Sequence, residues 1–294
     1  MGASEWKECH QLAGEIPSRS VVREQLEPGS GCVDPSSHTM AAGEAGRHFP
    51  TGPRNDAGIL GKRKQQTVKK RRIFVYGAGG HGKVVADILI SKGESEFAGF
   101  VDDKEAFWGT KVVGFPAHGG RQWLQQESLH SPVAVALGVG ANKSRQQLVE
   151  FCFQWNIEIL TLVHPAATVS GTARIGQGTV VMAGAVINPD ARVGAGVIVN
   201  TGAVVEHDVE VGDYAHVAPM AAMGGAARLG AFSHLGLGAV VFQCVHIGSH
   251  TIVGAGAVVV KNLPDEVVAF GVPARIQRQL QQECLSVMAA SSKG

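Results

Sequence analysis

An aliphatic side chain returns every six positions over about a third of the chain, and this period dominates its pattern of apolar and polar residues. The seventeen positions, which follow one another without an insertion, are Val163, Val169, Ile175, Val181, Ile187, Val193, Val199, Val205, Val211, Val217, Met223, Leu229, Leu235, Val241, Ile247, Val253 and Val259. A small residue commonly stands two places earlier, as at Ala185 and Ala203, and glycine often follows, as at Gly194. Neither a helix nor a simple alternating strand has this period.

A period of six predicts a β-helix, in which each hexad forms one flat side of a coil. Three sides close a triangular coil of 18 residues, so residues 161–262 predict five to six coils. Successive coils would stack at the ordinary interstrand spacing of about 4.8 Å. Side chains two positions apart point to the same side, which explains why a small residue accompanies each inward aliphatic one.

Residues 73–160 have the shorter periods that are typical of a small α/β domain. Strand patterns in RIFVY, FAGFV and VAVAL alternate with helical patterns in KVVADILISKG and NKSRQQLVEFCFQW. We therefore predict a small α/β domain before the β-helix. Residues 263–294 are expected to hold a last strand, a short C-terminal helix and a tail.

Residues 1–72 have no sustained apolar period and end in GKRKQQTVKKRR, in which seven of twelve residues are lysine or arginine. Such a segment buries too little apolar surface to offset its ordering entropy, so we expect a disordered leader. The basic run matches a nuclear localisation or nucleic-acid patch. A solvated linker without such a role is the hypothesis that we favour.

Composition narrows the class of protein further. The formal net charge is +1 over 294 residues, so no overall field favours nucleic acid or a membrane surface as a partner. The five cysteines lie far apart without a CxxC pair, which argues against a disulfide framework or a zinc site. No apolar run reaches the roughly 18 residues of a membrane span, and no secretory signal begins the chain. A cytoplasmic location is expected.

A glycine-rich turn follows the first predicted strand. Gly77, Gly79 and Gly82 satisfy G-x-G-x-x-G, and Asp102 follows after about 20 residues, as in the dinucleotide fingerprint. An NAD(P)-binding oxidoreductase is therefore one hypothesis. Against it, the α/β unit is only about half of a full dinucleotide fold, and only hexads follow it.

A histidine between two acids, Glu206-His207-Asp208, occupies one predicted bend of the β-helix. His207 is the only histidine in the column of residues two places after each aliphatic. Its neighbours one coil away are Pro189 and Gly225, which leave room around an imidazole. A solvated polar bend would explain a lone histidine, but the flanking acids favour a base with a supporting carboxylate.

Five stretches carry a resemblance to a known family: YGAGGHGK, FVDD, GANKSR, NTGAVVEHDVEVGDYAHVAP and GVPAR. With the hexads, they make residues 71–278 similar to the hexapeptide-repeat acyltransferases of the sialic acid O-acetyltransferase and UDP-4-amino-sugar N-acetyltransferase group. The resemblance implies that the β-helix is left-handed and that the α/β domain is Rossmann-like and binds a nucleotide sugar. It does not extend to the first seventy residues.

The resemblance also implies roles for individual residues. His207 would be the general base and Asp208 its supporting acid, and the substrate-binding residues would be Gly79, Gly80, His81, Asp102, Asp103 and Gly140. Acetyl-CoA, as co-substrate, would contact His216, Leu237 and Ala255. A homotrimer with active sites between neighbouring coils is implied, and we expect no metal, nucleic-acid or membrane partner.

These roles suit acyl transfer chemically. An amine or hydroxyl that attacks the thioester must lose a proton, and imidazole accepts one near neutral pH. We expect direct attack through a tetrahedral intermediate without an acyl-enzyme, because no cysteine stands where the family would supply a nucleophile. The acceptor, which could be the amine of a 4-amino sugar, a sialic acid hydroxyl or another activated sugar, stays open at this point.

Two further hypotheses concern the histidines and the coil itself. His216 and His234 lie 18 residues apart and should stack on one edge, with His234 either a ligand contact or a solvated residue. Zinc carbonic anhydrases share this coil and need three converging histidines, but the spacings of His207, His216, His234, His246 and His250 do not reproduce their pattern. A non-catalytic β-helix scaffold is the remaining alternative.

Overall fold

The computed structural model describes residues 70–280. The expected disordered leader and most of the basic run lie outside these residues, as do positions 281–294. The last residues of the basic run belong to the folded domain, because the first strand begins at Arg72 and Arg71 pairs with Glu96 at 3.1 Å and with Glu158 at 3.0 Å.

The α/β domain contains six strands and three helices within residues 70–160. The strands are β1 (Arg72–Tyr76), β2 (Phe97–Val101), β3 (Lys111–Val112), β4 (Phe115–His118), β5 (Val133–Leu137) and β6 (Glu158–Ile159). The helices are α1 (Gly80–Ser91), α2 (Arg121–His130) and α3 (Asn142–Gln154), with a 3₁₀ turn at Glu105–Phe107. The sheet order is β3-β4-β2-β1-β5-β6, and all neighbouring pairs are parallel except β3 with β4.

The centre of this sheet is fully apolar. All of β5 and the last four residues of β1 are buried, as continuous apolar runs predict for strands covered on both faces. Helix α1 covers one face with Val85, Ile88 and Leu89. The chain leaves β1 to form β2 on one side and returns to form β5 on the other, so strand order reverses beside β1.

The β-helix begins within the stretch IEILTLV, residues 157–163, and consists of two-residue strands. These are β7 (Leu162–Val163), β8 (Thr168–Val169), β9 (Arg174–Ile175), β10 (Val180–Val181), β11 (Val186–Ile187), β12 (Arg192–Val193), β13 (Ile198–Val199), β14 (Val204–Val205), β15 (Glu210–Val211), β16 (His216–Val217), β17 (Ala222–Met223), β18 (Arg228–Leu229), β19 (His234–Leu235), β20 (Val240–Val241), β21 (His246–Ile247), β22 (Ile252–Val253) and β23 (Val258–Val259).

Every predicted hexad position is the second residue of one of these strands, so the six-residue register is confirmed. Strands 18 residues apart pair in parallel and build three faces. We call the face of β7, β10, β13, β16, β19 and β22 face 1, that of β8, β11, β14, β17, β20 and β23 face 2, and that of β9, β12, β15, β18 and β21 face 3. The inward aliphatic residues and alanines form one continuous core.

The end of the β-helix is closed by a hairpin. Strand β24 (Val267–Phe270) extends face 1 beside β22, and β25 (Arg275–Gln279) pairs with β24 in antiparallel orientation. A C-terminal strand was predicted here, but residues 263–280 hold two strands and no helix, so the expected short helix does not lie in this segment.

The α/β domain packs against the first coils of face 1. Outward residues Leu162, Val180 and Ile198 share one buried cluster with Val85 and Leu89 of α1. Burying apolar area stabilises such a contact by about 25 cal/mol per Å². The domain is thereby fixed beside the part of face 1 where His216 and His234 follow.

Candidate active site

One half of the candidate site is a cleft at the carboxyl edge of the α/β sheet. Gly79 and Gly80 follow β1, Asp102 and Asp103 follow β2, and Gly140 follows β5. His81 lies in the first turn of α1 at the same edge. Ligands of open α/β sheets bind where strand order reverses, and all six predicted substrate residues meet at that point.

The glycines around this cleft divide into two groups. A β-carbon on Gly82 would lie 1.7 Å from the carbonyl oxygen of Gly77, and one on Gly77 would lie 2.5 Å from that of Gly138. These three glycines are therefore required for close packing of β1, β5 and α1. A β-carbon on Gly79, Gly80 or Gly140 would meet nothing within 4 Å.

The second group leaves backbone exposed at the start of a helix. Helix α1 has Gly79 as its N-cap, no side-chain cap and no acidic residue in its first turn. Its free N–H groups and the positive end of its dipole favour an anion such as a phosphate. This edge of the sheet thus offers open backbone and positive partial charge to an anion.

The two aspartates hold the cleft together. Asp102 accepts hydrogen bonds from the backbone N–H groups of Ala78 at 2.7 Å and Lys104 at 2.8 Å. Asp103 accepts one from the Tyr76 hydroxyl at 2.6 Å and one from the N–H of Arg121, the first residue of α2, at 3.0 Å. Burial, followed by this bond to Asp103, raises the pKa of Tyr76. Both carboxylates therefore fix the surrounding loops while they border the cleft.

Three imidazoles meet where the cleft reaches face 1. The rings of His81 and His216 lie 6.4 Å apart between centroids, and His216 stands edge-on to His234 at 4.7 Å. The predicted stacking of His216 with His234 is confirmed, although both lie on a flat face and not at a bend. Asn200 lies 3.0 Å from Nε2 of His216.

The surroundings keep these imidazoles neutral. Burial lowers the pKa of His216 to about 3, with the charges of His234, Arg145 and His81 adding to the effect. Burial, and then Arg145, lowers the pKa of His81 to about 4 and also depresses that of His234. Nε2 of His81 is buried without a hydrogen-bond partner among residues 70–280.

The other half of the site is the bend between face 2 and face 3 that carries His207. Nδ1 of His207 lies 2.8 Å from a carboxylate oxygen of Asp208, and about 60% of each side chain is exposed. A β-carbon on Gly225, one coil further, would lie 2.5 Å from Nε2 of His207. The ring therefore rests over Gly225, and only glycine leaves space for it there.

The bend gives Asp208 an unusual backbone conformation that the coil repeats. Every sixth residue from Gly178 to Gly256 has φ between +55 and +74°, and Asp208 has φ of 61°. Asp190, one coil earlier, has φ of 60°. Aspartate and asparagine tolerate this left-handed region better than most residues, so the carboxylate is placed beside His207 at low conformational cost.

The predicted acetyl-CoA contacts lie along the bend between face 1 and face 2. Leu237 and Ala255 occupy equivalent positions on successive coils, and both are exposed, Leu237 to 59%. His216 is on face 1 near the same bend. On the opposite border of face 1, a groove of about 620 Å³ runs from Gly140 to His234.

Within one chain, the structure does not bring His207 to the cleft. The bend between faces 2 and 3 is the corner of the triangle opposite face 1, which carries His216 and the α/β domain. Six residues of extended chain span about 20 Å, so this corner is on the order of 15 Å from face 1. The two halves of the site lie on opposite sides of each coil.

Three residues at the candidate site were not predicted from the sequence. Arg145 is fully buried between α3 and the coils, Asn142 bonds to the coil backbone, and Asn200 contacts His216. Arg145 has a signal in the sequence, since it stands one turn before Leu148 and Val149 on the apolar side of its helix. A charge at such a position predicts a buried polar contact.

Neither a metal-binding cluster nor a membrane-spanning helix occurs within residues 70–280. In this range no cluster of three or more histidine, cysteine, aspartate or glutamate side chains has the arrangement to hold a metal ion. None of the helices described has the length and apolar character needed to cross a membrane.

The fold and the two half-sites define a hexapeptide-repeat protein with an N-terminal α/β domain, and comparisons with known proteins agree. Residues 72–151 match the PglD N-terminal domain family, and residues 172–207 match the bacterial transferase hexapeptide (six repeats) family. A UDP-N-acetylbacillosamine N-acetyltransferase of Bacillus subtilis is 39% identical over 121 residues. That match covers 38% of this chain and 52% of the relative, so it spans about half of the curated protein.

Two solved structures resemble most of the described chain. PerB of Caulobacter crescentus, in complex with CoA and GDP-perosamine, is 39% identical with a TM-score of 0.66, over 70% of this chain and 97% of that one. The acetyltransferase domain of PglB from Neisseria gonorrhoeae, in complex with acetyl coenzyme A, is 39% identical with a TM-score of 0.66, over 70% and 98%. The chain belongs to the family of acetyltransferases that join a PglD N-terminal domain to a left-handed hexapeptide-repeat β-helix.

Proposed function

We propose that this chain transfers the acetyl group of acetyl-CoA to the amine of a nucleotide-activated amino sugar. The observation that carries the proposal is the 2.8 Å contact of His207 with Asp208, with the imidazole exposed over Gly225. The relatives support an amine as acceptor, since those named above with a substrate act on or bind amino sugars. An oxidoreductase or a scaffold would not need this pair.

His207 would act as the general base. Asp208 accepts the hydrogen bond of Nδ1, which leaves the lone pair on Nε2 free for the substrate. As the amine nitrogen bonds to the thioester carbonyl carbon, Nε2 takes its proton. The tetrahedral adduct then releases CoA as a thiolate, the carbon–sulfur bond breaks, and the proton passes from His207 to the leaving sulfur or to water.

The cleft of the α/β domain would bind the nucleotide part of the acceptor. Gly79 and Gly80 offer open backbone at the N-terminus of α1, and His81 offers an unpartnered Nε2. Asp102, Asp103 and Gly140 border the same space. The sugar would extend from this cleft toward His216.

Acetyl-CoA would lie along the bend between faces 1 and 2, against His216, Leu237 and Ala255. A neutral His216 suits this position, because an imidazole held without charge can donate or accept a hydrogen bond to an amide of the pantetheine arm. No step of the proposed reaction requires a metal ion.

The two half-sites would combine between subunits of a homotrimer. Since His207 lies at the corner opposite face 1, a second subunit must supply the base for each cleft. Face 2 offers a suitable interface, because its outward residues beyond Thr168 form an apolar stripe. These residues are Val186, Val204, Ala222, Val240 and Val258.

The proposal is tested by replacing the base. His207→Ala should lower kcat for acetyl transfer by at least about 100-fold, the usual range for general bases, with little change in thermal stability because the side chain is exposed. His246→Ala, an exposed histidine on face 3, is the control. Acceptors to be tried are a UDP-4-amino sugar and GDP-perosamine. Full activity of His207→Ala would contradict the proposal.

The shared site is tested by mixing two inactive variants. When His207→Ala and His81→Ala are co-expressed with different tags, mixed trimers should regain activity, because some sites then contain an intact base and an intact cleft. Activity that stays absent in purified mixed trimers would place the whole site within one subunit.

A further inference from the structure

Arg145 is a fully buried cation in the first turn of α3, and its contacts reach the β-helix. Nε donates to the carbonyl oxygen of Gly196 at 2.8 Å, and Nη2 donates to those of Tyr214 at 2.7 Å and Ala215 at 3.2 Å. Gly196 and Tyr214 occupy the same bend, between faces 3 and 1, on successive coils. One side chain therefore ties α3 to two coils.

The same guanidinium also holds the loop between β5 and α3. Nη1 donates to the carbonyl oxygens of Gly140 at 2.7 Å and Val139 at 3.3 Å, and Nη2 donates to Oδ1 of Asn142 at 2.9 Å. Gly140 borders the nucleotide cleft. Arg145 therefore contacts both domains directly at the point where the cleft meets the coils.

Asn142 extends this connection to a third coil. Its Nδ2 donates to the carbonyl oxygen of Phe232 at 2.7 Å, and Phe232 is one coil beyond Tyr214 at the same bend. Its Oδ1 accepts from Arg145, so the two side chains orient each other. Together they grip one bend on three successive coils.

The acceptors of Arg145 are all neutral, which makes the cation expensive to bury. Among residues 70–280 no carboxylate pairs with it, and burial lowers its pKa to about 10. A charged group is tolerated in such a place only when its donors are satisfied. The planar fork with five N–H groups meets this need, whereas a lysine has three donors on a single nitrogen.

We propose that Arg145, oriented by Asn142, is a positioning residue that sets the nucleotide cleft against face 1 of the β-helix, next to the proposed acetyl-CoA site. The inference rests on the proposed function. Arg145 touches neither substrate; it acts through the Val139–Gly140 loop and through α3. The same placement brings His81 of the cleft to 6.4 Å from His216 of face 1.

The test separates the two substrates. Arg145→Lys keeps the charge but not the fork, so kcat/KM for the nucleotide amino sugar should fall by about 100-fold, as misplacement of a reacting group by about 1 Å does. The KM for acetyl-CoA should change by less than about threefold, because Leu237 and Ala255 are untouched. Asn142→Ala should also lower kcat/KM for the nucleotide amino sugar, by a smaller factor, and should leave the KM for acetyl-CoA nearly unchanged.

Thr251→Val is the matched control. Thr251 is fully buried and its hydroxyl bridges Pro264 and Val267, so the variant loses buried hydrogen bonds inside the β-helix and none at the domain contact. The unfolding temperature should fall in the control and in Arg145→Lys alike. Of these two variants, only Arg145→Lys should lose kcat/KM for the nucleotide amino sugar.

Three results would overturn the inference. The first is an unchanged kcat/KM for the nucleotide sugar in Arg145→Lys. The second is a KM for acetyl-CoA that rises as much as kcat/KM for the nucleotide sugar falls. The third is the same fall in kcat/KM for the nucleotide sugar in Thr251→Val. If Arg145→Lys does not fold, Asn142→Ala decides on the same criteria. If the wild type transfers no acetyl group, the proposed function fails. Calorimetric binding of UDP and GDP to the wild type, Arg145→Lys and Asn142→Ala then replaces the kinetic test. Unchanged affinity in the variants, or absent binding, would count against the inference.

Discussion

The two domains carry many of the candidate site residues on turns, but they secure those turns in different ways. In the α/β domain each turn is unique, and some of its glycines are required by neighbouring backbone, as Gly82 is by Gly77. In the β-helix one left-handed turn conformation recurs every six residues, and eight of its fourteen positions from Gly178 to Gly256 carry residues other than glycine. A turn that is repeated can change its chemistry without changing its backbone.

The comparison predicts where glycine is indispensable. Gly82→Ala should prevent the α/β domain from folding, because its β-carbon would lie 1.7 Å from a carbonyl oxygen of the strand-to-helix turn. Gly80→Ala is the control, since it has open space and alanine favours helices. Circular dichroism and thermal unfolding would check this. A Gly82→Ala variant as stable as the control would show that the turn can relax.

A glycine in the β-helix should be needed for chemistry and not for folding. Gly225→Ala places a β-carbon 2.5 Å from Nε2 of His207, so the ring must turn away and kcat should fall by about 10 to 100-fold. Gly171→Ala lies at the same bend three coils earlier with nothing within 4 Å, and it should keep wild-type activity. Unfolding midpoints of the two variants should agree within a few degrees. Equal kcat values would contradict the placement of the ring.

Asp208 and Asp190 offer a comparison within one column. Asp208→Asn keeps a residue that tolerates positive φ but weakens the acceptor for Nδ1 of His207, so we expect kcat to fall about tenfold. Asp190→Asn makes the same change where no histidine is adjacent and should leave kcat unchanged. Steady-state kinetics at saturating substrates would measure both. Equal effects would mean that Asp208 serves the turn alone.

The histidines at the domain contact should make stability depend on pH. The pKa of His216 is lowered to about 3 and that of His81 to about 4, so below about pH 6.5 the unfolded chain binds more protons than the folded one. The free energy of unfolding should therefore fall as the pH drops from 6.5 toward 4, by about 1 to 3 kcal/mol.

The measurement compares urea unfolding at pH 7 and pH 5. His216→Asn should lose a clear part of the difference between the two pH values, whereas His246→Asn on face 3 should keep it. A wild-type protein equally stable at both pH values would contradict the burial of these imidazoles.

The repeat also explains how much of the fold could be predicted. Seventeen aliphatic positions gave every short strand of the β-helix, because each hexad reports the same local geometry. In the α/β domain three apolar strands and two helices were predicted, but α2, β3, β4 and β6 were not. Helix α2 buries only Leu124 among its ten residues, so its sequence carries little periodic signal.

The site was predictable where chemistry and register coincide. His207 was singled out as the only histidine in a column of small or polar residues and Asp208 as an acid beside it, and the structure places their side chains in contact. The distance between His207 and the cleft could not be read from residue types, because it depends on how the α/β domain seats on face 1. That seating uses Arg145 and Asn142, whose partners are backbone carbonyls with no pattern in the sequence.

The 18-residue period has a consequence for altering the molecule's length. One whole extra coil inserted after Val260 would continue all three faces in register, moving the closing hairpin outward by about 4.8 Å. His207, His216 and the residues around them would keep their positions. The length of the β-helix can therefore be varied in steps of one coil without moving the candidate site.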